Sequence, residues 1–253
     1  VLFRTSILSA VLLLALLPSC NKYYQPASAA PTNYRMSAVE DPSGEDPLLA
    51  LIAPYKNALD GKMNSVIGES SGRLYKEKPE SPLGNWVADA LQIETQAISK
   101  GPIDASVQNY GGLRIPELPE GPITLGKIYE LMPFDNMQVI VEMSGSTTQR
   151  FFDLVAADGG WPVSKEVQFV LKGKHADRLT INGKPIDMQA TYRIALPDYI
   201  ANGGGDADFL IDLPRENTGQ FVRDLLIRHV KRLTEQGLPV SANSKGQRII
   251  WGD

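Results

Sequence analysis

The chain has 253 residues, 43% hydrophobic and 21% charged, a composition that suits a folded globular protein and excludes a disordered one. A formal net charge of −4 argues against a pervasively basic nucleic-acid binder. One cysteine, Cys20, excludes an intrachain disulfide and a cysteine-rich metal site, and only two histidines, His175 and His229, are available for metal chemistry.

Arg4 and the apolar run from Ile7 to Leu17 open the chain. As a helix this run is too short to cross a ~30 Å hydrocarbon core and right for a signal segment. It ends on Leu17-Pro18-Ser19-Cys20, which looks like a bacterial lipobox with Cys20 as the lipidated residue. Ordinary secretory cleavage near Ala27-Ser28-Ala29-Ala30 is the alternative. The predicted organisation is a lipoprotein-type signal peptide over 1–19, a flexible Pro/Ala/Ser/Asn-rich tether over 20–46 and one folded domain over 47–253. The expected location is the bacterial cell envelope, lipid-anchored to a membrane and facing the periplasm or the exterior.

Leu48, Leu51, Ile52, Tyr55 and Leu59 have helical spacing behind Pro47. The stretch 66–75 reads as extended and 83–98 as a second helix, with Trp86, Val87, Ala90 and Leu91 on one face. A short strand over 105–109 precedes a helix over 124–131, for which Thr124 is the expected N-cap. A strand over 137–143 leads into a helix through Ala157, opened by a capping box of Ser146 and Gln149. Strands follow over 167–171, 178–181 and 192–196, with Asn182-Gly183 as a hairpin turn. An amphipathic helix over 218–235 and a last strand over 248–251 complete the pattern. Mixed strands alternating with helices, without repeats, predict one α/β (α+β) domain.

Three glycine-rich turns carry the candidate chemistry. Gly84-Asn85, in the first turn of the second helix, suits an anion or a plain helix start. Asn109-Tyr110-Gly111-Gly112-Leu113-Arg114 follows a strand. Its glycines permit close approach of a ligand, and Asn109 and Arg114 can face one cavity; a tight turn with a solvated Arg114 is the alternative. Asp198-Tyr199-Ile200-Ala201-Asn202-Gly203-Gly204-Gly205-Asp206 lacks the Lys-Ser/Thr of a phosphate-binding P-loop. Phe134 lies in a turn between a helix and a strand, as a packing staple or as a platform for a planar ligand.

Four segments in order, Leu83 to Ala90, Asn109 to Arg114, Gly121 to Asn136 and Tyr192 to Asp206, resemble the C-terminal domain of the 5′-nucleotidase family. The resemblance spans nearly all of 47–253. It implies a layered α/β/β/α fold with mixed sheets that binds the nucleoside part of a substrate. By resemblance, Phe134 and Tyr199 clamp the base between two rings. Asn109 and Arg114 hold base, ribose or phosphate, and Asp206 bonds ribose hydroxyls. Gly111, Gly112 and Asn202 flank these as substrate-contact positions. Three positions depart from the family pattern: one extra glycine before Asp206, Tyr110 where Gly is common, and Glu77 where an Arg often stands.

Family enzymes hydrolyse a phosphate ester with two metal ions held by an N-terminal phosphoesterase domain. Its D-x-H, G-N-H-[DE] and G-H-x-H signatures do not occur here. His175, in an expected loop, and His229, on the amphipathic helix, read as surface residues. No Gly-x-Ser-x-Gly elbow offers another catalyst. The expected protein is therefore the nucleotide-recognition half of a 5′-nucleotidase. It has no cofactor or catalytic residue of its own, divalent metals belong to a separate metallophosphoesterase partner, and no nucleic acid polymer is bound. A stand-alone nucleoside-binding lipoprotein and a degenerate structural domain are the alternatives.

Overall fold

In the computed structural model, which describes residues 47–241 and 248–252, the first element is helix α1, Pro47–Met63. The signal segment, Cys20 and the tether lie outside the described residues. The apolar spacing of α1 is helical, as expected, yet Leu51, Tyr55 and Leu59 are all exposed. The extended stretch breaks into strands β1, Val66–Ser70, and β2, Leu74–Tyr75. Helix α2, Pro82–Gln96, is started by Ser81, whose Oγ accepts from the Gly84 N–H at 3.1 Å, with Pro82 in the first turn. Strands β3, Ala105–Ser106, β4, Glu117–Leu118, and β5, Gly121–Thr124, follow. β1 pairs with β5 and β2 with β4, both antiparallel.

Thr124 caps helix α3, Leu125–Leu131, as expected, accepting from the Lys127 N–H at 3.2 Å. After strand β6, Met137–Ser144, comes helix α4, Gly145–Ala157. Its cap is Ser144 rather than Ser146: Ser144 Oγ accepts from the Thr147 N–H at 3.2 Å. The Gly145 N–H meanwhile donates to the Ala190 carbonyl at 2.8 Å, so the chain turns two residues early.

Strands β7, Val167–Lys172, and β8, His175–Ile181, form a hairpin, which makes His175 the first residue of a strand and not part of a loop. Asn182 and Gly183, both at positive φ, then turn β8 into β9, Lys184–Pro185, at the expected place. Strand β10, Thr191–Pro197, runs into a single helical turn, α5, Asp198–Ala201.

The expected helix over 218–235 is two elements, strand β11, Arg215–Phe221, and helix α6, Val222–Glu235. The sequence of β11 shows no apolar alternation because β11 is an edge strand paired only with β6. Gly219, at φ 70°, lies in the irregular stretch between Asn217 and Phe221. Strand β12, Ile249–Trp251, closes the described chain.

Two four-stranded sheets, β11-β6-β10-β3 and β12-β7-β8-β9, are both mixed: β3 runs parallel to β10 and β12 parallel to β7. Residues 138–141 of β6 and 194–197 of β10 are buried without a break, so both faces of this sheet are covered, and successive side chains go to opposite faces with the strand period of two. Val139, Val141, Ile194 and Leu196 join Phe151 and Phe152 of α4 and Phe169 of β7 in one core cluster. Ile140 and Ala195, between them in sequence, form a separate cluster with Ile103. The rings of Phe151 and Phe152 meet edge to face at 5.5 Å. A further core joins Leu83, Trp86 and Leu91 of α2 to Leu225, Leu226 and Val230 of α6. The mixed α/β class is as expected.

Two buried ionic groups tie these elements. Arg248 holds Asp89 through both guanidinium ends, at 2.9 and 2.7 Å, and its Nη1 also donates to the Val163 carbonyl. Glu80 accepts from the Arg248 N–H at 2.8 Å and from Asn85 Nδ2 at 2.6 Å. Of the two readings of Gly84-Asn85, the helix start holds: Asn85 is buried and bonded within the protein. At the α2–α6 contact, Glu94 accepts from Arg228 Nε at 3.0 Å and from Arg232 Nε at 2.9 Å. His229 Nδ1 lies 3.1 Å from Glu94 Oε1, and His229 is buried, not a surface residue. The amphipathic pattern put polar residues outward; a paired Glu94 lets this one go in.

Candidate functional site

Strand register gathers three distant segments at one sheet edge. Ile194 and Ala195 of β10 lie beside Ala105 and Ser106 of parallel β3, so both strands end at that edge. β6 runs the opposite way, with Gln138 facing Pro197, so β6 begins there. Asn109 follows β3, Phe134 precedes β6 and Tyr199 follows β10. The Met137 N–H donates to Asp198 Oδ1 at 3.1 Å and fastens two of these segments together.

Asn109, Gly111, Tyr199 and Asp206 line a cavity of about 390 Å³, within the range of small-molecule sites. Tyr110, Asp158, Trp161 and Lys174 share its wall. Tyr199 is half exposed, and Gly204 lies against its ring. Asp206 adopts φ 64°, a left-handed conformation that Asp tolerates better than most residues. A Cβ at Gly112 would run into the buried Gln108 amide and displace it. The Gln108 amide nitrogen donates to Asn109 Oδ1 at 2.8 Å and orients it.

The remaining candidates lie outside the lining of this cavity. Arg114 stands over the Phe134 ring, with Cζ 5.7 Å from the centroid. The turn carrying Phe134 is anchored by Arg223 of α6, which holds Asp135 at 2.6 Å. Asn202 Oδ1 accepts from Arg215 Nη1 at 2.7 Å and ties α5 to β11.

Positive charge gathers at Tyr110. Lys76 Nζ lies 3.9 Å and Lys78 Nζ 4.7 Å from its ring centroid. Lys76 also donates to the Leu113 carbonyl at 2.7 Å. Burial, with repulsion from Arg114 and Lys78, pushes the Lys76 ammonium below its ordinary pKa. The two lysines flank Glu77, where the family pattern often has Arg.

Sequence reasoning passed over Asp158, Trp161 and Lys174. The signal for Asp158 was present: Asp158-Gly159-Gly160 is another glycine pair directly after a helix, with both glycines at positive φ. Lys174 sits in a hairpin turn and gave no signal.

A larger groove of about 710 Å³ runs past Val66, Gly68 and Leu238, but no aromatic ring and one ionisable side chain, Glu69, line it. Volume alone does not make it the better site. Among the described residues no three His, Cys, Asp or Glu side chains come together as a metal centre requires, so these residues do not fit a two-metal site.

The family model for the 5′-nucleotidase, C-terminal domain matches residues 66–211, more than half of the chain. Protein UshA of Escherichia coli (strain K12) is 26% identical over 214 residues, 81% of this chain and 37% of that protein. The 5′-nucleotidase of Vibrio cholerae serotype O1 is 24% identical over 83% of this chain and 38% of its own length. Among solved structures, the 5′-nucleotidase precursor from Thermus thermophilus superposes with a TM-score of 0.67 at 28% identity, covering 81% of this chain and 42% of that one. The Haemophilus influenzae NAD nucleotidase shares the fold, with a TM-score of 0.63 at 17% identity. The chain spans about two-fifths of the length of these relatives. It belongs to the 5′-nucleotidase C-terminal domain family.

Proposed function

We propose that this chain is the nucleotide- and nucleoside-recognition half of a 5′-nucleotidase-type phosphohydrolase acting in nucleotide catabolism. The observation that carries this reading is the convergence of Asn109, Tyr199 and Asp206 on one cavity. In this reading Tyr199 stacks on one face of a base and Phe134, from the adjoining turn, on the other. Each such contact is worth roughly 1–3 kcal/mol and tolerates any base. Asp206 accepts from ribose hydroxyls, and Asn109 and Arg114 direct the ligand. Gly111 and Gly112 let it approach the backbone, and Asn202 flanks it. Lys76 and Lys78 beside Tyr110 add positive charge that favours a phosphate-bearing ligand.

The phosphoesterase chemistry is assigned to a separate metallophosphoesterase, with divalent metals on that partner and none on this chain. The chain is assigned to the cell envelope, held to a membrane through a lipid on Cys20. Among the described residues no helix is long and apolar enough to cross a membrane.

Thermal melting with adenosine and with AMP tests recognition. Both ligands raise Tm, and Phe134→Ala and Tyr199→Ala each abolish the shift; a wild-type chain that responds to neither ligand overturns the reading. The partner assignment predicts co-purification with a dimetal phosphoesterase and no AMP hydrolysis by this chain alone. Robust metal-dependent turnover by the purified chain overturns it.

A further inference from the structure

Asp158 follows the last residue of α4 and lines the same cavity as Tyr199 and Asp206. One of its carboxylate oxygens is occupied: Oδ2 accepts from Trp161 Nε1 at 2.6 Å and from Lys78 Nζ at 3.1 Å. Oδ1 receives no hydrogen bond from the described residues. Trp161 is buried, and Lys78 also donates to the Asp158 backbone carbonyl, so the carboxylate is held from two directions. The cavity wall therefore carries a fixed anionic acceptor with one oxygen still to be used.

In the nucleoside reading, a planar heterocycle stacked on Tyr199 presents its edge within a cavity that Asp158 also lines. An ionised carboxylate is an acceptor only, and it forms its strongest bonds with N–H donors. Against a ring carbonyl it sets lone pairs against lone pairs, a repulsion that solvent tempers but does not remove, because the Asp158 side chain is half exposed. Lys174 shares the wall as a donor, but it stands on an exposed hairpin turn, with no ion pair or side-chain hydrogen bond to fix it among the described residues. An unfixed ammonium discriminates less than a held carboxylate.

We propose that Asp158 is a specificity-determining residue, selecting bases that present an exocyclic amino group, such as adenine, over bases with a carbonyl oxygen there. This rests on the nucleoside reading above and deepens it.

Adenosine and inosine are the probes, because inosine replaces the amino group with a carbonyl. Calorimetric titration of the full chain is expected to give a Kd about tenfold lower for adenosine, the size of one good charged hydrogen bond gained against one lost. Asp158→Asn keeps an acceptor for Trp161 but removes the charge, and its amide can serve either base. In that variant the ratio falls to near one, chiefly because inosine binding improves, while the unliganded Tm confirms the fold. Equal affinities in the wild-type chain, or an adenosine preference that persists in Asp158→Asn, overturn the assignment to Asp158 and leave the nucleoside reading standing. Binding of neither nucleoside overturns the nucleoside reading itself.

Discussion

Gly204 lies against the Tyr199 ring so closely that a Cβ there would stand 2.6 Å from both Cε atoms. The Gly204 N–H also donates to the Tyr199 carbonyl at 2.9 Å, so ring and loop form one unit. Gly203 and Gly205, at φ 93° and 68°, carry the turn on either side. The loop thus has a use for each of its three glycines. Gly204→Ala is expected to push the Tyr199 ring out of place and to weaken adenosine binding by about 1–3 kcal/mol, one lost stacking contact. The surface loop itself should unfold at nearly the same temperature. Paired calorimetric titrations and melting curves check this, and unchanged affinity in Gly204→Ala contradicts it.

Lys76 and Lys78 meet at the Tyr110 ring, and Arg114 adds a third charge to the same group. In the proposed reading, charge held here acts on the phosphate of a ligand and not on its base. Lys76→Gln and Lys78→Gln are each expected to weaken AMP several-fold and adenosine little. The wild-type preference for AMP should shrink as salt rises, because exposed charges are screened over about 8–10 Å near 0.1–0.15 M. Kd values for both ligands at two salt concentrations check the point.

Glu94 and His229 set a direction for stability against pH. Burial works to raise the Glu94 pKa, but hydrogen bonds from Arg232, His229 and Arg228 outweigh it and hold it below its ordinary 4.5. Burial pushes His229 below its ordinary 6.5 despite the pull of Glu94. A depressed carboxylate contributes stability above its unfolded pKa and loses it as pH falls through the folded value. A depressed imidazole is penalised when charged, so stability falls as pH drops from 6.5 towards the lowered folded value. Urea unfolding is expected to show a plateau above pH 6.5, a decline below it from His229, and a further decline below 4.5 from Glu94. His229→Gln should remove the first decline and leave the second.

The Arg248–Asp89 pair is buried on both sides. Removing one partner deprives the other buried charge of its two-point counter-ion, so Asp89→Ala and Arg248→Met each are expected to cost about 3–5 kcal/mol in urea unfolding. The double variant should cost less than the sum of the two. An additive result would show that the pair does not act as a unit.

Most elements were legible because local chemistry set them. Thr124 as a cap, Asn182-Gly183 as a hairpin and the apolar faces of α2 and α6 require no knowledge of distant residues. β11 was illegible because an edge strand has no need of apolar alternation, and its partner β6 lies far away in sequence. The Ser144 cap was missed because the choice between Ser144 and Ser146 rests on Gly145 bonding to Ala190, a long-range contact. His229 was misplaced for the same kind of reason: only Glu94 on another helix explains its burial.

The sequence by itself determined the family, the order of most elements and the residue types that the resemblance assigns to a nucleotide. Those are carried by short motifs whose spacing survives without a structure. Only the tertiary structure decided which of them share a wall. The parallel register of β3 with β10 brings Asn109, Tyr199 and Asp206 to one cavity. The same packing adds Asp158 from the end of α4 and draws Lys76 and Lys78 to Tyr110. Strand register is fixed by hydrogen bonds between segments far apart in the chain, and local composition does not record them.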